Sequence, residues 1–160
     1  MDVESFADIR QEFEDRVSSI VWASVATVDT QGRTRARMLH PIWEVTDEGA
    51  VGWIATGRQS LKAKHLEDNP YVSLTYWTPE HQQVMADCKT EFIEDMGEKK
   101  RLWDLFGEYP EPYGYDLKTF WQSVDDPTYG LLKLDPWRVE VWSIQEVSTG
   151  KPPRVWRPAA

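Results

Sequence analysis

The stretch GWIATGRQSLKAKHLEDNP, residues 52–70, joins a strand pattern to a helix pattern through one glycine. Its first residues, with Ala50 and Val51 before them, are apolar or small, as in a buried strand, and Gly57 permits a tight exit. Ser60 then stands where a helix N-cap is expected, and the Asn-Pro pair at 69–70 ends the helix. The stretch therefore predicts a strand over 50–56 and a short helix over 60–68.

This predicted helix has a lysine in its first turn. Lys62 lies at the positive end of the helix macrodipole, where it is unfavourable by a few tenths to about 1 kcal/mol unless an anion is close. The first backbone N–H groups also lack partners within the helix, and a phosphate would satisfy them. A Ser-x-Lys triplet is common, and a nucleophilic role for Ser60 has no His or Asp close in sequence to support it. The helix start is thus a candidate anion site.

The preceding segment, RTRARMLHPIWEV at 33–45, reads as a strand in which arginines alternate. Alternation places Arg33, Arg35 and Arg37 on one face, with ~7 Å between neighbours. Two explanations stay open at this point. The arginines form a solvated or charge-guarded edge, or at least one guanidinium binds a phosphate through its planar fork of donors.

The remaining pattern predicts a mainly β chain with flanking helices. Ser5 and Asp8 resemble a capping pair at the start of an amphipathic helix. Five strands with hairpin-length turns, followed by two closing strands, indicate a small antiparallel barrel with its helices outside. We expect one domain over residues 1–160. The predicted helices are 3–17, 60–68, 97–109 and 116–124; the strands are 19–29, 33–45, 50–56, 71–77, 82–95, 129–136 and 137–147.

Charge limits the partners. A net charge of -9 argues against a general nucleic-acid binder. Residues 33–64 differ from the whole, because six basic residues there outnumber three acidic ones, which suits a compact anionic ligand. No stretch approaches the ~20 apolar residues that cross a bilayer, and the acidic N-terminus lacks an export pattern. We expect no membrane partner and a cytoplasmic location.

Cysteine, histidine and tryptophan add further expectations. The single cysteine, Cys88, excludes an intramolecular disulfide and a multi-cysteine zinc site, and its sequence context predicts a small buried strand residue. No two of the histidines, His40, His65 and His81, have a short metal-ligand spacing, so we expect no metal site. Nine tryptophans suit core packing, with a few available to stack on a flat ligand or to bury a subunit interface.

The order of these motifs resembles one known family. RTRARML, GWIAT, RQSLKAKHLEDNP, YVSLTYW and HQQVMADC, within residues 15–95, look like the flavin-binding split-barrel family related to pyridoxamine 5'-phosphate oxidase. DDPTYGLLKLDPWRVEVWS is similar to the closing strands of the smaller members called general stress proteins. The resemblance implies a homodimer of antiparallel, Greek-key-type split β-barrels with FMN at the subunit interface.

The resemblance also implies the cofactor site. Arg37 and Lys62 match the phosphate-binding cations, with Ser60 beside them at the helix start. Gln83 matches a glutamine near the isoalloxazine. Other positions match residues along the flavin, beside its phosphate and near the closing strands: Met38, Leu39, Ala55, Thr56 and Trp142.

Two departures separate this chain from the oxidase itself. Leu61 replaces a basic residue after the helix-start serine, and PPRVWRP stands where the oxidase has an Arg-x-His substrate motif. These departures argue against a vitamin B6 phosphate as substrate.

The function implied is that of an FMN-dependent oxidoreductase or flavin reductase acting on a small molecule, in which the flavin carries the redox chemistry and no protein residue is named as catalytic. Three alternatives remain: a reductase using a deazaflavin coenzyme, a flavin-binding stress protein without turnover, and a structural dimer with a vacant site. A few relatives bind haem. Two roles stay open for residues 98–125: a lid over the flavin, or a segment that stabilises the dimer.

Overall fold

The computed structural model describes residues 1–159, and Ala160 lies outside it. The chain forms eight strands and four α-helices, with short 3-10 turns at Phe6–Asp8 and Leu117–Thr119. The helices are α1 (Arg10–Ile20), α2 (Leu61–Asp68), α3 (Met96–Glu108) and α4 (Ile144–Ser148). The strands are β1 (Ala23–Val28), β2 (Thr34–Leu39), β3 (Ile42–Val45), β4 (Ala50–Gly57), β5 (Tyr71–Trp77), β6 (Gln82–Ile93), β7 (Tyr129–Ser143) and β8 (Arg154–Trp156).

All strand pairs within the sheet are antiparallel. The order is β2-β1-β5-β6-β7-β4-β3, and β8 pairs with β7 beyond the stretch that pairs with β4. The terminal strands β2 and β3 do not pair with each other, so the sheet curls without closing. This is the split barrel that the sequence predicts.

Strand β7 is longer than expected. The sequence predicts two strands, 129–136 and 137–147, whereas the structure has one strand from Tyr129 to Ser143. Its register against β6 shifts so that Asp87 pairs with Arg138 and Cys88 with Pro136, leaving Trp137 as the extra residue of a bulge. A proline has no N–H for the ladder and is tolerated at such a bulge, so Pro136 bends the strand without ending it.

Other boundaries also differ from the sequence prediction. The expected strand at 33–45 is broken at His40 and Pro41 into β2 and β3, since proline removes a donor and restricts the residue before it. Residues 144–148, expected as strand end, form α4, because the Ser143 hydroxyl accepts a bond from the Glu146 N–H and caps a helix.

The chain's outer segments show similar differences. Helix α1 begins at Arg10 rather than residue 3, and the predicted Ser5–Asp8 capping pair instead caps the preceding 3-10 turn. The predicted helix at 116–124 is only the 3-10 turn Leu117–Thr119. The tail, expected to be irregular, contributes β8.

Two apolar clusters lie on either side of the sheet. In the first, α1 packs on the inner face, and Cys88 is fully buried there as predicted, which raises the pKa of its thiol. In the second, α3 and the segment after it cover β3, β4 and the start of β7 through Leu102, Phe106 and Tyr129. The second cluster gives the open side of the barrel an additional wall.

Two further observations concern ligands and membranes. None of the helices within residues 1–159 combines the length and hydropathy needed to cross a bilayer. In the same residues, no three His, Cys, Asp or Glu side chains gather in an arrangement that could hold a metal ion.

One buried hydrogen bond ties the first cluster together, and its removal tests the packing. The indole N–H of Trp43 donates to the Tyr76 hydroxyl at 2.9 Å, and both side chains are buried. We expect Tyr76→Phe to lower the free energy of unfolding by about 1–3 kcal/mol, since it leaves the Trp43 donor unpaired. Tyr71→Phe, on an exposed tyrosine of the same strand, is the control. Urea denaturation of both variants measures the difference, and equal stabilities would contradict the assignment.

Candidate functional site

Helix α2 begins with an unusual N-terminus. Ser60 is the N-cap, as predicted, yet its side chain makes no capping bond and the first turn contains no acidic residue. Its hydroxyl instead accepts a hydrogen bond from Lys62 Nζ at 3.0 Å. The free N–H groups of the first turn and the positive end of the macrodipole are therefore left without a negative partner among the described residues.

Lys62 itself is a half-buried cation. Its pKa is lowered by burial and, in second place, by the nearby positive charge of Arg37. No carboxylate of the described residues contributes to this shift. The structure thus brings together two cations that sequence reasoning had assigned to the same phosphate.

Arg37 reaches this point from strand β2. Its Nη1 donates to the Thr27 hydroxyl at 2.8 Å and to the Val25 carbonyl at 3.2 Å. Burial, followed by the charge of Arg35, lowers the pKa of Arg37. The guanidinium is held by neutral oxygens alone, so its charge stays available to a ligand.

Thr27 and His65 complete the support of Arg37, and sequence reasoning missed both. The Thr27 hydroxyl lies 3.0 Å from His65 Nδ1, and both side chains are buried. Because arginine can only donate, Thr27 is the acceptor of that bond, and its own hydrogen is free for the imidazole. A signal did exist in the sequence: alternation along β1 places Thr27 on the buried face with Ala23 and Val25.

The other basic residues of this region have different partners. Arg33 precedes β2 and pairs with Asp29 at 2.9 Å, so the prediction that Arg33 shares a strand face with Arg35 and Arg37 is wrong. Its carbonyl still accepts a bond from the Asp29 N–H at 2.8 Å at the end of the hairpin, but the residue lies outside β2. Arg58 pairs with Glu94 at 3.0 Å and stacks over Phe92. Arg37 and Lys62 are consequently the half-buried cations of the candidate site.

A cavity of 630 Å³ is lined by Met38, which follows Arg37 on β2, and by Gly57, which precedes the start of α2. Four residues of β2 and β4 form its strand wall: Met38 and Leu39, which the resemblance assigns to the flavin, and Ala55 and Thr56, which it assigns to the phosphate. Gly57, whose carbonyl accepts a bond from the Ser60 N–H at 3.1 Å, belongs to the same wall. The cavity therefore borders the start of α2.

The remaining two predicted residues lie elsewhere. Gln83 and Trp142 are directly opposite each other on β6 and β7, whereas β1 and β5 separate β6 from β2. The Arg16 guanidinium donates to both their backbone carbonyls, at 3.1 and 3.0 Å. The indole N–H of Trp142 is buried and has no hydrogen-bond partner among residues 1–159. Within one chain, these residues do not join the cation pair.

Comparison with known proteins supplies the family. The family model of pyridoxamine 5'-phosphate oxidase matches residues 9–143. The chain belongs to this family. Among curated relatives, the pyridoxine/pyridoxamine 5'-phosphate oxidase of Haemophilus influenzae is 44% identical over 67 residues, which are 41% of this chain and 30% of that protein. The chain thus matches less than a third of that relative's length.

Solved structures show the same fold. A protein from Clostridium acetobutylicum related to general stress protein 26 superposes with a TM-score of 0.70 at 14% identity, covering 94% of this chain and 95% of that one. A pyridoxamine 5'-phosphate oxidase-related, FMN binding protein from Nostoc punctiforme gives a TM-score of 0.60 at 16% identity, covering 91% and 84%. At these identities the likeness establishes architecture alone.

The C-terminal tail is attached to the rest of the chain by ion pairs. Arg154 is bound by Glu12 at 2.5 and 2.6 Å and by Glu146 at 3.1 Å, and Arg157 pairs with Asp2. Glu12 also pairs with Arg16, so the tail is connected to the residue that holds the Gln83 and Trp142 carbonyls. In PPRVWRP, Arg154 and Arg157 each form ion pairs with carboxylates. Neither guanidinium is therefore free to bind a substrate anion.

The unpaired lysine makes a testable prediction about stability. We expect Lys62→Met to stabilise the ligand-free protein by about 0.3–1 kcal/mol at pH 7.5, because it removes a cation from the positive end of a helix. The pKa of Lys62 is lowered in the folded state, so the stability of the wild type rises as the pH passes from that lowered pKa to the ordinary value of 10.5. Over this window the difference in the free energy of unfolding between Lys62→Met and the wild type becomes smaller.

Chemical denaturation at pH 7.5 and at pH 10 measures this effect. Lys64→Met, on an exposed lysine of the same helix, is the matched control and should show a smaller change. If Lys62→Met is less stable than the wild type, other residues of the chain compensate the positive charge of Lys62, and the prediction is wrong.

Proposed function

We propose that this protein is an FMN-dependent oxidoreductase whose cofactor phosphate is bound by Arg37 and Lys62. The observation that carries this proposal is the pair of half-buried cations held without a carboxylate at an uncapped helix N-terminus. A doubly charged phosphate ester would satisfy the guanidinium, the ammonium and the first-turn N–H groups together. The Ser60 hydroxyl is placed to bind the same group.

The adjoining cavity fits the rest of FMN. A flat, largely apolar ring needs an apolar slot next to the phosphate site, and the wall formed by Met38, Leu39, Ala55 and Thr56 supplies one. When bound, the isoalloxazine supplies the chemistry by accepting and returning a hydride. The chain would contribute anchoring of the phosphate and orientation of the ring.

We propose further that a second copy of the chain completes the site. Gln83 and Trp142 share one outer face of the sheet with Trp77, since the three are paired in a row across β5, β6 and β7. The neighbouring row on the same face includes Met38 and Met85. The exposed Trp77 and Met38 on this face, together with a buried indole N–H that has no partner among residues 1–159, suit burial against another protomer, which would bring Gln83 and Trp142 to the flavin of the partner.

Titration with FMN and riboflavin tests the phosphate assignment. We expect Arg37→Met and Lys62→Met each to weaken FMN binding at least tenfold, or about 1.4 kcal/mol, measured by flavin fluorescence. Riboflavin lacks the phosphate, so its affinity should change little. Lys64→Met is the control and should bind FMN as the wild type does.

The outcomes of this titration separate the alternatives. Equal losses for FMN and riboflavin would contradict a phosphate contact. Binding of a deazaflavin coenzyme in place of FMN would assign the protein to the other reductase class. Tight FMN binding without faster NAD(P)H oxidation for any common acceptor would favour a flavin-binding protein without turnover. No binding of either coenzyme would leave only the fold in common with the family.

A mixed dimer tests whether the site is shared between subunits. One chain would contain Arg37→Met and Lys62→Met, and the other Gln83→Ala and Trp142→Phe, each with its own purification tag. A shared site predicts one intact site per mixed dimer, hence wild-type FMN affinity at half the usual stoichiometry. Neither parent dimer would have an intact site. If each site lies within one chain, the mixed dimer would bind FMN no better than its parents.

A further inference from the structure

The wall of the cavity opposite the strands comes from the connection between α3 and β7. Tyr115, Phe120 and Trp121 line the cavity from this side. Their rings form a continuous series: Tyr115 lies 6.1 Å from Phe120, and Phe120 lies 5.7 Å from Trp121, centroid to centroid. We call these three residues the aromatic wall.

The aromatic wall is fixed to the barrel. Tyr113, within the same connection, accepts a hydrogen bond from the Trp43 N–H through its hydroxyl at 2.6 Å. Its carbonyl is 2.6 Å from His40 Nε2, and the Tyr115 N–H donates to the Phe106 carbonyl at 2.8 Å. A Cβ at Gly114 would lie 2.1 Å from the Tyr109 carbonyl oxygen, so only glycine fits this turn. The wall is pre-organised, which lowers the cost of binding a rigid ligand.

The cavity next to the aromatic wall provides no positive charge. Glu111 is the charged side chain among its lining residues. His40 also lines it, stacked 4.5 Å from Tyr115, and burial lowers the pKa of His40. Because Nε2 faces a carbonyl acceptor and must donate to it, the neutral imidazole already satisfies this contact. An anionic ligand here would meet a carboxylate and no counter-charge, whereas a neutral ring would meet aromatic faces.

We propose that the aromatic wall is the substrate side of the cavity and selects a neutral, flat aromatic molecule of one or two fused rings. The proposal rests on the proposed function, because it assumes that the flavin ring lies against the strand wall of Met38, Leu39, Ala55 and Thr56. It extends that function by naming the class of second ligand. A cavity of 630 Å³ lies within the range usual for small-molecule sites. Phosphorylated substrates are disfavoured, because both cations near the cavity are assigned to the cofactor.

Calorimetric titration with two matched naphthalenes tests this proposal. 2-Naphthol is neutral at pH 7.5, and 2-naphthoate has the same ring system with a negative charge. With FMN-saturated protein we expect 2-naphthol to bind at least tenfold more tightly than 2-naphthoate. Phe120→Ala should weaken 2-naphthol binding about fivefold or more, and Glu111→Gln should narrow the difference between the two ligands.

Controls separate this proposal from the cofactor assignment. Phe120 is 66% exposed and Tyr71 51% exposed, so Phe120→Ala and Tyr71→Ala are a matched pair of which only the first changes the cavity. FMN affinity is measured in the same samples. Normal FMN binding with equal affinity for both naphthalenes, or with 2-naphthol binding indifferent to Phe120→Ala, overturns the aromatic subsite and leaves the cofactor proposal intact. If FMN does not bind, the same comparison on cofactor-free protein still decides the selectivity of the wall.

Discussion

The long pairing of β6 with β7 is the constraint on which the rest of the structure depends. β6 carries β5, β1 and β2 on its far edge, and β7 carries β4, β3 and β8 on the other, so both halves of the sheet are attached to this one ribbon. The bulge at Trp137 bends it and lets the sheet curl. Along β7, Tyr129 lies in the part that pairs with β4, and Trp142 lies near the other end, just beyond the residues that pair with β8.

Folding leaves the cation pair without a carboxylate partner among the described residues. Folding places Arg37 and Lys62 in a partly desolvated position without a carboxylate, which raises the free energy of the ligand-free protein. Elsewhere in the same region the chain does supply acids, as Asp29 does for Arg33 and Glu94 for Arg58. Paired and unpaired cations thus occur within the same stretch of sequence, residues 33–62. Arg33 and Arg58 are paired with carboxylates, whereas Arg37 and Lys62 have no carboxylate partner among the described residues.

Sequence patterns predicted the fold where local physics is strong. Alternation identified most strands, and the Ser60 and Asn-Pro signals located α2 to within a residue. The errors arose where a single residue has two possible effects: Pro41 ends a strand, whereas Pro136 only bends one. Of the predicted site residues, Arg37 and Lys62 lie near each other and Met38, Leu39, Ala55 and Thr56 line one cavity, whereas Gln83 and Trp142 lie elsewhere in the chain. Thr27 and His65 were missed because their bond joins β1 to α2, 38 residues apart; alternation along β1 indicates that Thr27 is buried, but it does not predict the partner.

The buried cysteine has a practical consequence for watching this protein move. Cys88 is the single thiol of the chain, and it lies at the centre of the β6–β7 ribbon with its pKa raised by burial. An alkylating reagent needs access and a thiolate, and the folded molecule offers neither. The thiol becomes reactive only when the ribbon separates, so the rate of its modification measures how often the centre of the sheet opens. Alkylation followed by mass spectrometry would thus measure the opening of the sheet at one natural residue, with no engineered probe.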